Sequence, residues 1–420
     1  MPRRPSEASG RAWRLYLVGG AVRDRLMGRP PGDRDWVAVG AQAEDLARDG
    51  YVPVGRDFPV FLHPQTREEV ALARTERKTS SGYHGFEFQA DPSVTLEEDL
   101  KRRDLTINAI AQGEDGSLID PCGGQADLRA KTLRHVSPAF AEDPVRILRL
   151  ARFAARWPDF SVAPETLALC RDMVQAGEVD ALVAERVWQE LSRGLMEVQP
   201  SRMLDLLRAC GALQRLLPEV DRLWGVPQPA EHHPEIDTGV HLMMVLDATA
   251  QAHAPLAVRF AALCHDLGKG STPKSQWPRH IGHESRSVQL LQALCQRWRV
   301  PQDCREMAEV VAREHVHIHA SLGLSAAAMV RLLDRLDAWR RPGRLGGIVQ
   351  ACECDARGRL GRQEHDYPQA RRLLQAHAVG LAVDTAAVAQ AAAADGLRGP
   401  AIGQRIQQAR VRALQELAWA

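Results

Sequence analysis

The segment GGAVRDRLMGRPPGDRDWVAVG, residues 19–40, opens on two glycines and closes on two aspartates, Asp33 and Asp35, that run into an apolar stretch from Trp36 to Val39. LYLV before it (15–18) has the length and composition of a short buried strand. Gly19-Gly20 then turns the chain, AVRDRLM forms a short helix ended by Gly28, and WVAVG is a second strand. Side chains two apart in a strand share a face, roughly 6.6–6.8 Å apart along the axis, so Asp33 and Asp35 are expected to face the same way. Unpaired, they repel; with divalent cations between them, they attract. Two-metal phosphoryl transfer needs carboxylates that hold ions roughly 3.5–4 Å apart. Mg²⁺ suits such a site, with its oxygen ligands completed by substrate phosphates. The two glycines let backbone N–H groups approach a phosphate chain at a helix N-terminus, where the helix dipole favours negative charge, and Arg23 adds a further phosphate contact. DxD is common in surface turns and Gly-Gly is common before helices. Their combination in one strand–turn–helix–strand unit is much less so.

Outward from this unit, YVPVGRDFPVFLHP and EEVALART (about 51–75) read as further strands, and TERKTSSGYHGFEFQADPSVT (75–95) as a polar, mobile loop without period. LEEDLKRRDLTINAIAQ (96–112) reads as an amphipathic helix, DGSLIDPCGG (115–124) as a hairpin or turn, and from Pro144 helix follows helix. The Pro-, Gly- and His-rich GVPQPAEHHPEIDTG (225–239) reads as a linker, and the Ala-rich DTAAVAQAAAADG (384–396) as helix. The expected fold is α+β: a small mixed-sheet head (13–140), an all-helical neck and body (141–224), the linker (225–239), a second helical domain (240–341) and a helical tail (342–420).

At 420 residues with 45% hydrophobic and 25% charged side chains, the chain is an ordinary soluble composition. A net charge of +1 gives no global field toward polyanions, so a nucleic-acid surface must come from local clustering. The eight cysteines form no CxxC pair and are expected as free thiols in a reducing cytoplasm. The start, MPRRPSEASGRAW, lacks the apolar core of a signal peptide, and no run is long enough to cross a membrane. No membrane partner is expected, and the chain is expected as a monomer or weak homo-oligomer.

Two further segments carry chemistry. In LEEDLKRRDLTINAIA (96–111), Arg102, Arg103 and Asp104 precede Asn108 by about one helical turn. That set suits triphosphate and ribose contacts, and equally a solvated basic helix face. In AEDPVRILRLARFAARW (141–157), Asp143, Arg146, Arg149 and Arg152 fall on one i+3 ridge, with Val145, Leu148 and Phe153 left for the core. Asp143 before Pro144 is also a plausible helix N-cap, and Asp143–Arg146 a plain i,i+3 ion pair.

GGAVRD…DRDWV, ARTE (73–76), RRDLTINA (102–109) and EDPVRILRLARFAARW together resemble the class II tRNA nucleotidyltransferases, the bacterial group of CCA-adding enzymes and poly(A) polymerases. The resemblance implies that Asp33 and Asp35 bind catalytic Mg²⁺, and that Gly20 and Arg23 contact the triphosphate of CTP or ATP. It implies Arg103 as an incoming-nucleotide contact, with Asp104 and Asn108 near the sugar. Glu142, Asp143 and Arg146 would be a protein template reading base edges, with Arg149 and Arg152 as further nucleotide contacts. Such a template is physically sound, because Arg only donates and a carboxylate only accepts. Cytosine and adenine each offer a ring acceptor beside an exocyclic amino donor, whereas uracil and guanine present a ring N–H that faces the guanidinium wrongly. Poly(A) polymerases of this group tend to carry a second basic residue where GRDF has Asp57, which weighs modestly against that alternative.

Past the linker come GVHLMMVL, AALCHDLGKG, IGHES, REHVHIH and CECDARGR. The HDLGKG run, with Gly268 read as a helix cap, is similar to the HD superfamily of metal-dependent phosphohydrolases. That resemblance implies His241, His265, Asp266 and Asp355 as ligands, His265 and Asp266 as catalytic, and His283 and His315 as additional candidates. Histidine ligands suit Ni²⁺, Co²⁺ or Mn²⁺. A nucleotidyltransferase head joined to an HD domain resembles the multifunctional CCA proteins, which pair CCA addition to tRNA with phosphatase, 2′-nucleotidase and 2′,3′-cyclic phosphodiesterase activities. An HD hydrolase with a regulatory head, or a nucleotide-sensing or RNA-binding protein with an inactive head, is the competing expectation. Arg340, Arg341, Arg344 and GLRGPAIGQRIQQARVR (396–412) are the candidate tRNA-binding pieces.

Overall fold

The computed structural model describes residues 12–54, 60–78 and 86–417. It forms two compact units, Met1–Arg186 with Ala209–Ala212, and Val187–Arg208 with Leu213–Ala420. The division falls at Arg186, so the segment 141–224 expected as one neck and body contributes to both.

The first unit is built on strands β1 (Arg14–Val18), β2 (Asp35–Val39), β3 (Val52–Val54), β4 (Val60–Leu62) and β5 (Glu69–Leu72), a separate pair β6 (Arg74–Lys78) and β7 (Phe86–Ala90), and the short β8 (Ala111–Gly113) and β9 (Leu118–Ile119). The main sheet runs β3-β4-β5-β2-β1-β8-β9. Its one parallel pair, β2 with β5, sets Asp35 opposite Glu69; β1 pairs antiparallel with both β2 and β8. Both faces are covered, as the near-continuous apolar strands require. Trp13, Ala38, Leu46, Tyr51, Phe61, Val70 and Leu72 fill one cluster. Val18, Val37, Leu100, Ala109 and Ala111 fill another, and Leu17, Ala21, Val22 and Ile110 a third.

Three local expectations change. Residues 75–95 are not simply a loop: β6 and β7 pair antiparallel, Lys78 opposite Phe86 and Arg74 opposite Ala90. Phe86 and Phe88 alternate with polar residues at the strand period, a weak signal that the Gly and Ser content between the strands masks. Residues 79–85, like 1–11 and the 55–59 stretch that contains Asp57, lie outside the described residues. The helix expected over 96–112 spans only Leu96–Lys101, started by a Thr95–Glu98 capping box. It stops because the Asp104 carboxylate accepts the Leu105 N–H (2.8 Å) and the Asn108 side chain (3.0 Å), drawing the chain into an extended residue and a 3₁₀ turn at Thr106–Asn108. Asp33 sits in a bend before β2, so only Asp35 is in the strand and the pleat does not align the pair.

The second unit is helical among its described residues. The helix Leu256–Cys264 packs against Thr238–Gln251, Gln302–His319 and Leu345–Arg357. The last of these lies beyond the boundary expected at 341, and it carries Asp355. Residues 225–239 are packed rather than linker-like: Val226, Gln228, His233 and Thr238 are buried, and Pro227 bridges antiparallel to Asp237. Prolines and glycines here shape a fixed turn, which composition alone does not separate from a tether. Gly268 is not a helix cap. A Cβ there would stand 2.1 Å from the His283 carbonyl oxygen and 2.7 Å from the Ser287 nitrogen, so only glycine lets these two segments approach.

All eight cysteines are free thiols; seven are buried and Cys122 is half-buried. Burial pushes Cys170, Cys295, Cys304 and Cys354 up to about 12, and Cys264 and Cys352 well above the ordinary thiol value. These thiols stay protonated at pH 8 and react only after opening. Thiol titration of the native protein at pH 8 should modify Cys122 first, with the remaining seven reacting only in denaturant. Rapid native labelling of a second cysteine, located by peptide mapping, would contradict this packing.

Candidate active sites

The β1–helix turn, the start of β2 and the helix Val145–Arg156 line one cleft of about 720 Å³ in the first unit. Its lining includes Gly19, Gly20, Asp33, Asp35, Glu69 and a set of arginines, and takes in every head residue singled out from sequence except Glu142. Gly19 has φ +69°, the left-handed conformation that glycine favours, and a Cβ there would lie 3.3 Å from the Arg103 guanidinium, which therefore sits over the turn. Burial, then the neighbouring Glu69 and Asp33 carboxylates, push the Asp35 carboxyl up, with Arg103 opposing. Three carboxylates crowded in this way present the oxygen donors that a hard divalent cation takes, and such a cation would relieve their repulsion. Glu69 was missed from sequence. Only the parallel β2–β5 pairing brings it opposite Asp35.

The cationic side of the cleft is held by buried acids. Asp99, fully buried, accepts from Arg102 Nη2 (2.7 Å) and Arg103 Nη2 (3.1 Å) on its two oxygens. Burial opposes its charge, but Arg103 and Arg102 outweigh that and hold it low. Asp104, 7% exposed, accepts from Arg149 Nε at 2.8 Å and from Asn108. Its burial penalty is likewise overcome, chiefly by Arg149, so it stays well below the usual carboxylate range. Asn108 in turn accepts from Arg23 Nη1 at 2.5 Å. Arg23 is buried, pairs with Asp24, and lies 4.7 Å from the Trp157 ring centroid. Residues expected as separate nucleotide contacts thus form one network, Arg23–Asn108–Asp104–Arg149.

At the other end, Pro144 is the N-cap of the helix, and Asp143 before it accepts the Val145 N–H at 3.1 Å. Its carboxylate is also gripped by Arg186, at 3.1 and 2.7 Å on its two oxygens. Arg186 was not singled out from sequence; 43 residues separate the pair, and no periodicity links them. Arg146 donates to the Ala139 and Arg102 carbonyls, both at 2.8 Å, and Arg152 lies over the Phe153 ring at 4.8 Å. Glu142 ends the 3₁₀ turn Pro138–Glu142 before this helix.

The second unit brings together the histidines and aspartates expected there. His241, His265 and Asp355 present ligand atoms within 4.8 Å of one another, and so do Asp266, His283 and His315. His265 Nε2 lies 3.1 Å from Asp266 Oδ2 and 3.9 Å from Asp355 Oδ1, joining the two groups. Nδ1 of His265 and of His283 each lies 2.8 Å from a main-chain carbonyl, Ala262 and His280, and His315 Nδ1 lies 3.1 Å from that of Val311. A carbonyl can only accept, so in these rings Nδ1 carries the proton and Nε2 turns a lone pair inward. His265 Nε2 and Asp266 Oδ1 are buried and form no aligned hydrogen bond, although His283 Nε2 and His315 Nε2 stand 3.3 and 3.5 Å from Asp266 Oδ1, as fits ligand atoms arranged around a cation. Burial disfavours the His265 imidazolium, but Asp266 and Asp355 outweigh it and push the group up to about 9, so the Nε2 lone pair is offered to a cation in exchange for a proton. Both carboxylates are held far below their usual range against burial, Asp266 by His265 and Lys269, Asp355 by His319 and His265.

Three supporting residues were missed. Lys269 Nζ lies 2.6 Å from both Asp266 Oδ2 and Gln228 Oε1; its place three residues after Asp266 in HDLGKG was the available signal. His319 Nε2 lies 2.7 Å from Asp355 Oδ2, and its Nδ1 is 2.9 Å from the Tyr367 hydroxyl. Tyr367 comes from the segment read as tail, and nothing local in sequence marks it. The candidate RNA-binding arginines are partly spent on local pairs: Arg340 with Asp337, Arg341 with Glu306, and Arg344 with the Glu306 carbonyl.

Comparison with known proteins follows the same division. Residues 15–134 match the poly A polymerase head domain, 159–223 a probable RNA and SrmB-binding site of polymerase A, and 238–339 the HD domain. The Bacillus stearothermophilus CCA-adding enzyme in complex with CTP superposes with a TM-score of 0.66 at 22% identity, covering 97% of this chain and 91% of that one. The Thermotoga maritima CCA-adding enzyme complexed with tRNA gives 0.60 at 18% identity, over 97% and 88%. At such identities the likeness is one of fold. The relationship is close to the multifunctional CCA protein of Paracidovorax citrulli, 66% identical over 406 residues (96% of this chain, 97% of that one). It is equally close to that of Leptothrix cholodnii, 66% identical over 401 residues and 96% of each chain. A head with paired aspartates, an RNA-binding segment and an intact HD cluster, all in one order and at this identity, place the chain in the multifunctional CCA protein family.

Proposed function

We propose that this chain adds C, C and A to the 3′ end of tRNA from CTP and ATP at the head cleft. We further propose that its HD centre hydrolyses 2′-phosphates and 2′,3′-cyclic phosphates at RNA ends. The observation that carries the first part is one cleft gathering the Gly19-Gly20 turn, Asp33, Asp35 and the Asp143–Arg186 pair. In this reading Asp33 and Asp35, with Glu69 beside them, hold Mg²⁺, which when bound activates the tRNA 3′-OH and neutralises charge at the α-phosphate. Gly20 and Arg103 orient the triphosphate, while Asp104 and Asn108 hold Arg149 and Arg23 in place near the sugar. Asp143, steadied by Arg186, and Arg146 read the base edge, so no nucleic-acid template is needed. In the second unit His241, His265, Asp266 and Asp355, with His283 and His315, hold a transition metal of the Ni²⁺, Co²⁺ or Mn²⁺ type. Hydrolysis of a 2′,3′-cyclic phosphate by water, with the P–O3′ bond broken, frees the 3′-OH that the head extends, and a second hydrolysis clears the remaining 2′-phosphate, which gives the two chemistries a common substrate. No helix among the described residues is long and apolar enough to cross a membrane; a cytoplasmic enzyme acting on tRNA fits that.

The direct test is incubation of tRNA lacking CCA with CTP, ATP or both. Addition of C, C and A in order is expected, whereas processive incorporation of ATP alone would point to a poly(A) polymerase. Asp35→Ala should cut addition by on the order of 10³-fold, the scale of losing one charge-stabilising group, with tRNA retention on a filter little changed because phosphate contacts dominate affinity. Near-normal turnover would remove the metal-binding assignment.

Asp143→Ala and Arg186→Ala should both relax selection against UTP and GTP by roughly 5- to 150-fold, the equivalent of the ~1–3 kcal/mol carried by a good bidentate base contact. Competition assays with mixed nucleotides read this out. If both variants reject UTP and GTP as the parent does, Asp143 only holds the start of the helix and base selection lies elsewhere.

His265→Ala should abolish hydrolysis of 2′-AMP and of 2′,3′-cyclic AMP while Mg²⁺-dependent CCA addition continues. Both activities are measured on one preparation, with circular dichroism as the folding control. Simultaneous loss of both in a folded variant would show that the centres are coupled.

A further inference from the structure

We propose that Glu235 is a positioning residue for the HD metal centre, fixing the tautomer and ring orientation of His241 and hence the direction of its Nε2 lone pair. This rests on the reading of the His/Asp cluster as a metal centre. Glu235 Oε1 lies 2.9 Å from His241 Nδ1, with the two side chains 2% and 0% exposed. At the opposite edge of the ring, His241 Nε2 lies 3.0 Å from Asp355 Oδ1. A neutral imidazole has one donor and one acceptor nitrogen, and a carboxylate only accepts. Both ring edges face a carboxylate, so a cation held on Nε2 in place of its proton would leave the one remaining proton on Nδ1, beside Glu235. In His265, His283 and His315 a main-chain carbonyl does this work. At His241 a carboxylate does it, which also makes the ring a stronger ligand.

The second oxygen of Glu235 has its own task. Oε2 accepts the Leu360 N–H at 3.1 Å, three residues beyond the helix Leu345–Arg357 that carries Asp355. One side chain thus ties the His241 ring to the segment following the other ligand. His233 Nδ1 shares Oε1 at 3.1 Å and packs edge-on to His241, their ring centroids 4.7 Å apart.

An independent feature marks the same spot. Ile236, the next residue, has φ +62°, a left-handed conformation that a β-branched side chain rarely adopts. Its side chain is 47% exposed, so apolar burial does not account for the strain. The surrounding hydrogen bonds do: Ile236 donates to the His233 carbonyl and accepts from the Gln228 N–H, both at 2.8 Å. Asp237 then caps the His241 helix by accepting the Val240 N–H at 3.0 Å. The strained residue turns the chain so that Glu235 points inward immediately before that helix begins.

The test uses the full-length chain stripped of metal and titrated with Co²⁺ against a chromophoric chelator, with His265→Ala as the baseline for binding elsewhere. Glu235→Ala should weaken the His265-dependent Co²⁺ site by about 10- to 100-fold and shift its visible absorption. Glu235→Gln, which keeps an acceptor but loses the charge, should move affinity in the same direction by a smaller factor. A thermal melt accompanies each variant, and if Glu235→Ala fails to fold the isosteric Glu235→Gln decides alone. Wild-type Co²⁺ affinity and spectrum in both variants would overturn the proposal while leaving the metal centre standing. A wild-type protein with no His265-dependent Co²⁺ site would instead overturn the metal-centre reading, and this proposal with it.

Discussion

Both centres depend on carboxylates that remain ionised although they are buried. An unpaired charge in a protein interior costs several kcal/mol, and removing one partner of a buried pair typically costs about 3–5 kcal/mol. Asp99 and Asp104 in the head, and Asp266 and Asp355 in the second unit, are each nearly or fully buried and each is surrounded by cations or imidazoles. The compensation dictates geometry. Asp99 can satisfy its two oxygens only by drawing in Arg102 and Arg103 together, and this aims Arg103 across the glycine turn. Asp104 breaks the helix that would otherwise continue, because its oxygen takes the Leu105 N–H.

In the second unit the same constraint orients the rings of His241, His265, His283 and His315. Main-chain carbonyls and Glu235 hold the Nδ1 edges, so the Nε2 edges converge on Asp266 and Asp355. The outcome is a cluster of buried ligand atoms in which His265 Nε2 and Asp266 Oδ1 face other ligand atoms at 3.1–3.5 Å without forming an aligned hydrogen bond. Structural charge networks usually close on themselves; one that leaves its inner atoms open is arranged for a ligand. The head is opened in a different way, by crowding three acids on one side of a cleft and arginines on the other.

Much of this was legible in the sequence because it is local. The strand–Gly-Gly–helix–DxD unit, the ridge from Asp143 to Arg152 and the HDLGKG run all rest on contacts within a few residues, where spacing and propensity set position. The expectations that failed were those in which a side chain or a packed turn overrode the local pattern. Asp104 ended a helix that periodicity would have prolonged. A proline-rich segment read as a tether became the packed turn that carries His233 and Glu235. Asp33 fell outside the strand, although it still lines the same cleft as Asp35.

The sequence by itself determined the order of the elements, the apolar faces of the strands, and the identity of the acids, arginines and histidines available for chemistry. Tertiary structure alone decided their partners. Glu69 meets Asp35 only through a parallel pairing 34 residues apart, Arg186 grips Asp143 across 43 residues, and Asp355 reaches His241 across 114. No periodicity spans such distances. A buried charge accepts whichever counter-charge the fold brings within about 3 Å, and which one arrives is set by how the apolar faces pack.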